Sequence, residues 1–186
     1  DCFKSQLKLT PSQMRKSAGD QANALMLTMY YRPPFDWARM QGILAGRAVD
    51  KLEWCDETSY GRTFNWHGSA GTFTAKHDGN KNRFEVTVEL SDVKVLKAVI
   101  NNIRRILDVD VDMQAVEQDL QHCLPADFPF HSGVRVPGIW DMFEAGIRAI
   151  LGQQISVVAA RNLVTTLVKE LGEQHGDHYL FPNPQS

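Results

Sequence analysis

Cysteine is scarce here: Cys2, Cys55 and Cys123 are the three in 186 residues, far apart and odd in number. That argues against a disulfide framework and against a paired-thiol zinc site, and it fits a reducing cytoplasmic setting. No apolar run approaches the roughly 18 residues of a membrane span. Asp1, Lys4 and Lys8 stand where a secretory apolar core would have to begin. An excess of either charge is missing too, with 20 Lys and Arg against 22 Asp and Glu for a net charge of −2. This balance is mild evidence against nucleic-acid binding, although such binding depends on a local basic surface more than on the average. There is no internal repeat and no low-complexity tract. Both ends read as cut: the chain opens in mid-pattern at Asp1, and Phe181 to Ser186 reads as a linker.

Patterning supplies what composition does not. Residues 1–18 read as a short helix, a break and a new helix start, with Thr10 as cap and Pro11 at the first helical position. Leu25, Leu27, Met29 and Tyr31 alternate as in a strand that Pro33-Pro34 stops. Asp36 is suited to cap a helix carrying Trp37, Met40, Leu44 and Ala48 on one stripe. Residues 50–90 read as an antiparallel meander, with Tyr60, Arg62, Phe64 and Trp66 alternating and turn signals at His67-Gly68 and Asp78-Gly79. Phe84, Val86, Val88 and Leu90 then mark the inward side of a clear strand.

Helices follow. One opens at Asp92 and carries Leu96, Val99, Ile100, Ile103, Ile106 and Leu107; a short one spans Asp112 to Cys123. After a Pro- and Phe-rich loop, Asp141-Met-Phe-Glu144 resembles a capping box ahead of Phe143, Ile147, Ile150 and Leu151. Ser156 is placed to cap a last helix striped by Ala160, Leu163, Val164, Leu167 and Leu171. Little chain remains to cover the stripes of these two helices, so some self-association is expected of this piece. The fold class is α+β.

The stretch Arg148-Ala-Ile-Leu-Gly-Gln-Gln-Ile-Ser156 is the most distinctive. Two adjacent amides, Gln153 and Gln154, at a helix–helix junction are awkward to bury, since each needs several hydrogen-bond partners. They are either satisfied polar residues at a bend or a surface that inserts amides into a nucleic-acid stack.

The longer run Pro137-Gly-Ile-Trp-Asp-Met-Phe-Glu-Ala-Gly-Ile-Arg-Ala-Ile-Leu-Gly-Gln-Gln-Ile-Ser156 resembles 3-methyladenine DNA glycosylase II, the alkylated-base branch of the helix-hairpin-helix glycosylases. Pro33-Pro-Phe-Asp-Trp37 and Arg47-Ala-Val49 are similar to that family's N-terminal domain, in the same order. The resemblance implies a curved antiparallel sheet like half of the TATA-binding protein, over residues 25–111, followed by the first helices of a helical domain over 112–186. It implies double-stranded DNA with alkylated bases as partner, and extrusion of the damaged nucleotide past a wedge side chain. The wedge falls on Gln154, beside Gln153 and Ser156, where the best-known member type of the family carries a leucine. Ile43 and Arg47 fall near the base pocket, Ile43 at a place where the family has an aromatic. The resemblance calls for no cofactor, no metal, no membrane and no obligate protein partner.

The anchoring hairpin of the type Leu-Pro-Gly-Ile-Gly, and the catalytic aspartate after it, belong downstream of these motifs. The piece is therefore expected to be inactive, with no catalytic residue of its own. Val136-Pro-Gly-Ile-Trp-Asp141 imitates the hairpin, but Trp140 stands at the second glycine and the order is wrong. Asp141 is expected to be a helix cap. Asp108-Val-Asp-Val-Asp112 has the rhythm of a calcium loop, but Met113 replaces the glycine and Asp119 the glutamate. His175 and His178 have possible ligand spacing and read as surface residues. Cys2 to Lys16 resembles the tail of an arabinose-regulator-type helix-turn-helix domain, with residues 19–24 as a linker. This leaves an alternative to repair: a non-enzymatic DNA-binding module of an adaptive-response transcription regulator.

Overall fold

A computed structural model describes residues 24–125 and 127–184. The helix-turn-helix reading of residues 1–18 lies outside them. Strand β1 (Ala24–Tyr30) buries Leu25, Leu27 and Met29 and exposes the residues between, as a period-2 pattern requires. It does not pair with its successor. β1 runs antiparallel to β5 (Arg83–Leu90), with Leu27 opposite Val86. Between them in sequence lie α1 (Trp37–Arg47), β2 (Glu53–Cys55), β3 (Ser59–Trp66) and β4 (Ser69–Asp78). The resulting five-stranded antiparallel sheet has the order β1-β5-β4-β3-β2.

Turn chemistry follows the residues. His67 (φ 50°) and Gly68 (φ 84°) form the two-residue bend between β3 and β4, as their positions suggest. Asp78-Gly79 does begin a hairpin, but not a two-residue one. Asp78 stays in the sheet opposite Arg83, whose Nε donates to its carboxylate at 3.1 Å. The connection is therefore a 3-10 turn at Gly79–Lys81 closed by Asn82 in the left-handed region (φ 49°), which asparagine tolerates.

Helix α2 (Leu96–Ile106) lays Val99, Ile100, Ile103 and Ile106 into one core with Phe64, Phe73, Phe84, Val86 and Val88. Asp92 caps a 3-10 turn, Val93–Val95, that runs into this helix. Helix α3 (Met113–Cys123) starts at its expected cap, Asp112, and buries only Met113. The buried Arg135 pins the following loop, donating to the carbonyls of Asp108, Val111, Arg32 and Pro34.

Helix α4 (Met142–Leu151) departs from the expected stripe. Asp141 accepts from the Glu144 N–H at 2.9 Å and caps the helix, but Glu144 does not complete a capping box. It is the buried residue of the helix, while Ile150 is 65% exposed. Helix α5 (Val157–Leu171) turns Val164 and Val168, not Leu163 or Leu171, onto Val49 and Leu52 in a second small core. The expected linker is partly packed as well. Just before it, the short strand β6 (Gln174–His175) pairs with β7 (His178–Tyr179), and the Tyr179 backbone donates to the Lys51 carbonyl and accepts from the Thr63 hydroxyl at 2.6 Å. Leu180 and Pro182 are buried. Among the described residues no helix is long and apolar enough to cross a membrane.

Candidate functional site

Three chain segments meet around a cleft: the C-terminal half of α1, the Pro137–Trp140 approach to α4, and the α4–α5 junction. An inner chamber of about 130 Å³ is lined by Ile43, Arg47, Tyr60, Trp140 and four charged side chains. It adjoins an outer groove of about 380 Å³ between α4 and α5, and both share Arg47, Ile139, Ala145 and Arg148 as wall.

The four charges form a closed network. Arg62 projects from β3 on the same face as Tyr60 and Phe64, so strand alternation drives a guanidinium into the interior. There it forks onto Glu144, Nη1 to Oε1 at 3.1 Å and Nη2 to Oε2 at 2.6 Å. Arg148, one turn after Glu144, donates to Glu144 at 2.9 Å and to Glu53 at 2.7 Å. Its remaining nitrogen reaches the Arg47 carbonyl at 3.3 Å, so α4 caps the C-terminus of α1. Tyr60 donates to Glu53 at 2.8 Å, and the Val49 N–H donates to the other oxygen at 3.0 Å.

The protonation states follow from this pairing. Burial works to raise the Glu53 carboxyl, but Arg148 and Arg62 outweigh it and hold it below its ordinary value. Burial also works against the charged forms of Arg62 and Arg148, and the two glutamates more than restore them. Tyr60 is pushed well up, first by burial and then by the Glu53 charge. Both arginines and Glu53 are thus held charged and Tyr60 neutral, and no carboxylate in the cleft is left unpaired.

Nothing in the sequence joins these four residues as a unit. Its signals were an arginine at an inward strand position and a Glu–Arg pair four residues apart on α4. Spacing alone reads such a pair as a solvated helix face.

The residues singled out by motif divide into two groups. Ile43 and Arg47 line the inner chamber together. Gln153 and Gln154 are exposed at the α4–α5 junction, between groove residues Gly152 and Ile155. Gln154 takes a left-handed backbone, φ 60°, which makes the bend. Because both amides face solvent, the difficulty of burying them does not arise. Ser156 accepts from the Ala159 N–H at 3.2 Å and caps α5.

The imitation hairpin is structural. A Cβ on Gly138 would lie 2.5 Å from the Arg105 carbonyl oxygen, so the glycine lets this segment pack on the end of α2. Trp140 lies over Phe64 and Phe73, at ring separations of 5.0 and 5.9 Å. The acidic run is likewise divided among its own partners: Asp108 accepts from Val136, Asp110 pairs with Arg104, and Asp112 caps α3 and pairs with Arg32. His175 and His178 face each other across β6 and β7, and His178 lies 4.7 Å from the Trp54 ring.

An antiparallel sheet backed by helices, followed by a helix pair joined at a polar bend, defines an α+β protein of the TATA-binding-protein-like type. The AlkA N-terminal domain family model matches residues 26–141, and the chain belongs to that family. Escherichia coli (strain K12) DNA-3-methyladenine glycosylase 2 is 33% identical over 163 residues, covering 86% of this chain and 56% of its own length. A Mycobacterium tuberculosis (strain CDC 1551 / Oshkosh) protein described as a probable bifunctional transcriptional activator/DNA repair enzyme AlkA is 29% identical over 181 residues. That match covers 91% of this chain and 36% of the relative. The chain thus spans roughly half or less of these relatives' length. In fold it is similar to a 3-methyladenine DNA-glycosylase from Archaeoglobus fulgidus, with a TM-score of 0.64 at 18% identity. That likeness covers 85% of this chain and 56% of the other.

Proposed function

We propose that this chain is part of a DNA N-glycosylase that extrudes alkylated purine nucleotides from duplex DNA and hydrolyses the bond to the base. The observation that carries this reading is the exposed Gln153-Gln154 bend at the head of α5, in a chain of the AlkA N-terminal family. Both amides are exposed at this junction, as a wedge entering a base stack requires. The Gln154 amide can fill the vacated space and hydrogen-bond the orphaned partner base. Gln153 and Ser156 flank it on DNA, while Ile43 and Arg47 line the chamber behind.

In this reading residues 25–111 are the sheet unit and 112–186 the opening helices of a second unit, and this piece alone releases no base. Base release through a positively charged sugar-like transition state needs a carboxylate facing the sugar. The carboxylates that line the cleft, Glu53 and Glu144, are both held by arginines. The relatives named for glycosylase activity extend beyond the matched region.

The test is release of methylated adenine from duplex DNA. The 186-residue chain is expected to show none, and clear turnover would place the catalytic group within it. In the complete protein, Gln154→Ala is expected to weaken lesion-duplex binding and slow base release about tenfold or more, in line with removal of one group that acts on the extruded state. Unchanged binding and rate would remove Gln154 from the role.

A non-enzymatic DNA-binding regulator is the second reading, favoured by the activator function in the mycobacterial relative's description. Absence of base release by the complete protein, with specific promoter binding retained, would select it.

A further inference from the structure

Among the described residues, Arg47 and Arg161 stand apart. Arg32, Arg39, Arg62, Arg83, Arg104, Arg105, Arg135 and Arg148 each donate to a carboxylate, an amide or a carbonyl. The guanidiniums of Arg47 and Arg161 have no such partner, and both line the outer groove. They approach it from different elements, Arg47 from the last turn of α1 and Arg161 from the second turn of α5.

The charge around them leaves a clear remainder. Glu53 and Glu144 are cancelled by Arg62 and Arg148 within the buried network. The two uncancelled guanidiniums make the groove positive in a chain whose net charge is −2. The first turn of α5, with Val157 in the groove wall, adds the partial positive charge of a helix N-terminus. The remaining walls, including Ile139, Ala149, Ile155 and Ala160, are apolar and screen these charges less than open water would. A guanidinium offers five N–H donors in a plane that matches phosphate oxygens.

We propose that Arg161, together with Arg47, binds phosphate oxygens of a DNA strand running along the groove between α1, α4 and α5. This rests on the DNA-directed reading above and adds a residue that the motifs did not mark. Arg161 anchors the strand beside the Gln153-Gln154 bend, and its contact carries no sequence or lesion information.

The experiment is a fluorescence-anisotropy titration of the 186-residue chain with a labelled short duplex at several chloride concentrations. Four proteins are compared: the unaltered chain, Arg161→Ala, Arg161→Lys and Gln154→Ala. Loss of one phosphate contact is expected to reduce the slope of log affinity against log salt by about one. Affinity should fall several-fold at low salt, equally for undamaged and methylated duplex, and Arg161→Lys should keep the slope. Thermal melts of Arg161→Ala should match the unaltered chain, because no ion pair is lost.

An unchanged slope in Arg161→Ala, while the chain still binds duplex, would overturn the phosphate contact and leave the DNA reading standing. No duplex binding by the unaltered chain would overturn the phosphate contact, and base release by the complete protein then decides the DNA-directed reading separately. Competition by inorganic phosphate beyond chloride of equal ionic strength, with affinity independent of duplex length, would mean a small-anion site and also overturn the proposal.

Discussion

Glu144 and Arg62 share a fork of hydrogen bonds in which each side chain is almost fully buried, at 4% and 3% exposure. A buried ion pair adds little net stability over an apolar substitute, but losing one partner leaves an uncompensated charge. Glu144→Gln is therefore expected to destabilise the chain by about 3–5 kcal/mol in a urea melt. The double replacement Arg62→Met with Glu144→Leu should recover a good part of that, the remainder reflecting Arg148. A double variant as unstable as the single one would mean that the network's geometry, not its charge, holds α4. Gln154 makes a smaller point of the same kind. Its φ of 60° is open to glycine and costly for a β-branched residue. Gln154→Gly should be tolerated, and Gln154→Val should cost about 1–2 kcal/mol.

Helix α5 shows how an element chooses its face. The apolar residues on its surface form more than one stripe, and contact with the Val49–Leu52 turn selects Val164 and Val168. Val168→Ala removes fully buried methyl groups and is expected to cost about 2 kcal/mol. Leu163→Ser, on the exposed side, should stay within about 0.5 kcal/mol in this chain. Chemical denaturation of the two variants separates the faces; equal losses would mean that the other side of α5 is covered in solution. Helix α4 is the more extreme case, since Ile150 faces water while a glutamate is buried. Periodicity located the helix and its Asp141 cap, but the partner of its polar residue lies on a strand 82 positions earlier.

The sheet, α1 and the loop after β1 are joined by rings around His77, which stacks on Trp37 at 5.1 Å and on Tyr31 at 5.8 Å. The Tyr31 hydroxyl lies 2.8 Å from its Nε2. Burial lowers the imidazole below its ordinary 6.5, against a smaller upward pull from Asp78. As the pH falls through 6.5 the unfolded chain takes up a proton before the folded one does. Stability from this site is thus complete above 6.5 and is lost as the pH falls towards the folded value. Melting temperature should decline from about pH 7.5 to about pH 5.5, and His77→Phe, which keeps a stacked ring, should flatten that decline. An identical profile in His77→Phe would move the pH dependence elsewhere. Glu53 acts at lower pH. Its depressed value gives stability that is present above the ordinary carboxylate range and lost as acid titrates it through the folded value.

The sequence by itself determined the helices and the longer strands, most of their caps, the inward faces of β1, β5 and α2, and the α+β class. These are local matters: a two-residue or 3.6-residue period and a capping side chain act within one turn or one strand. It also marked the Gln153-Gln154 bend, because Gly152 after one helix and the Ser156 cap of the next bracket it locally. Tertiary structure alone decided that β1 crosses to β5, that Tyr179 closes onto Thr63, and that Glu144 points inward while Ile150 points out. Those outcomes depend on partners dozens of residues away, and a buried charge is stable only where its counter-charge arrives. The same holds for the groove. Arg161 looks like any surface arginine in the sequence, and only the folded chain shows that its neighbours' charges are spent and its own is not.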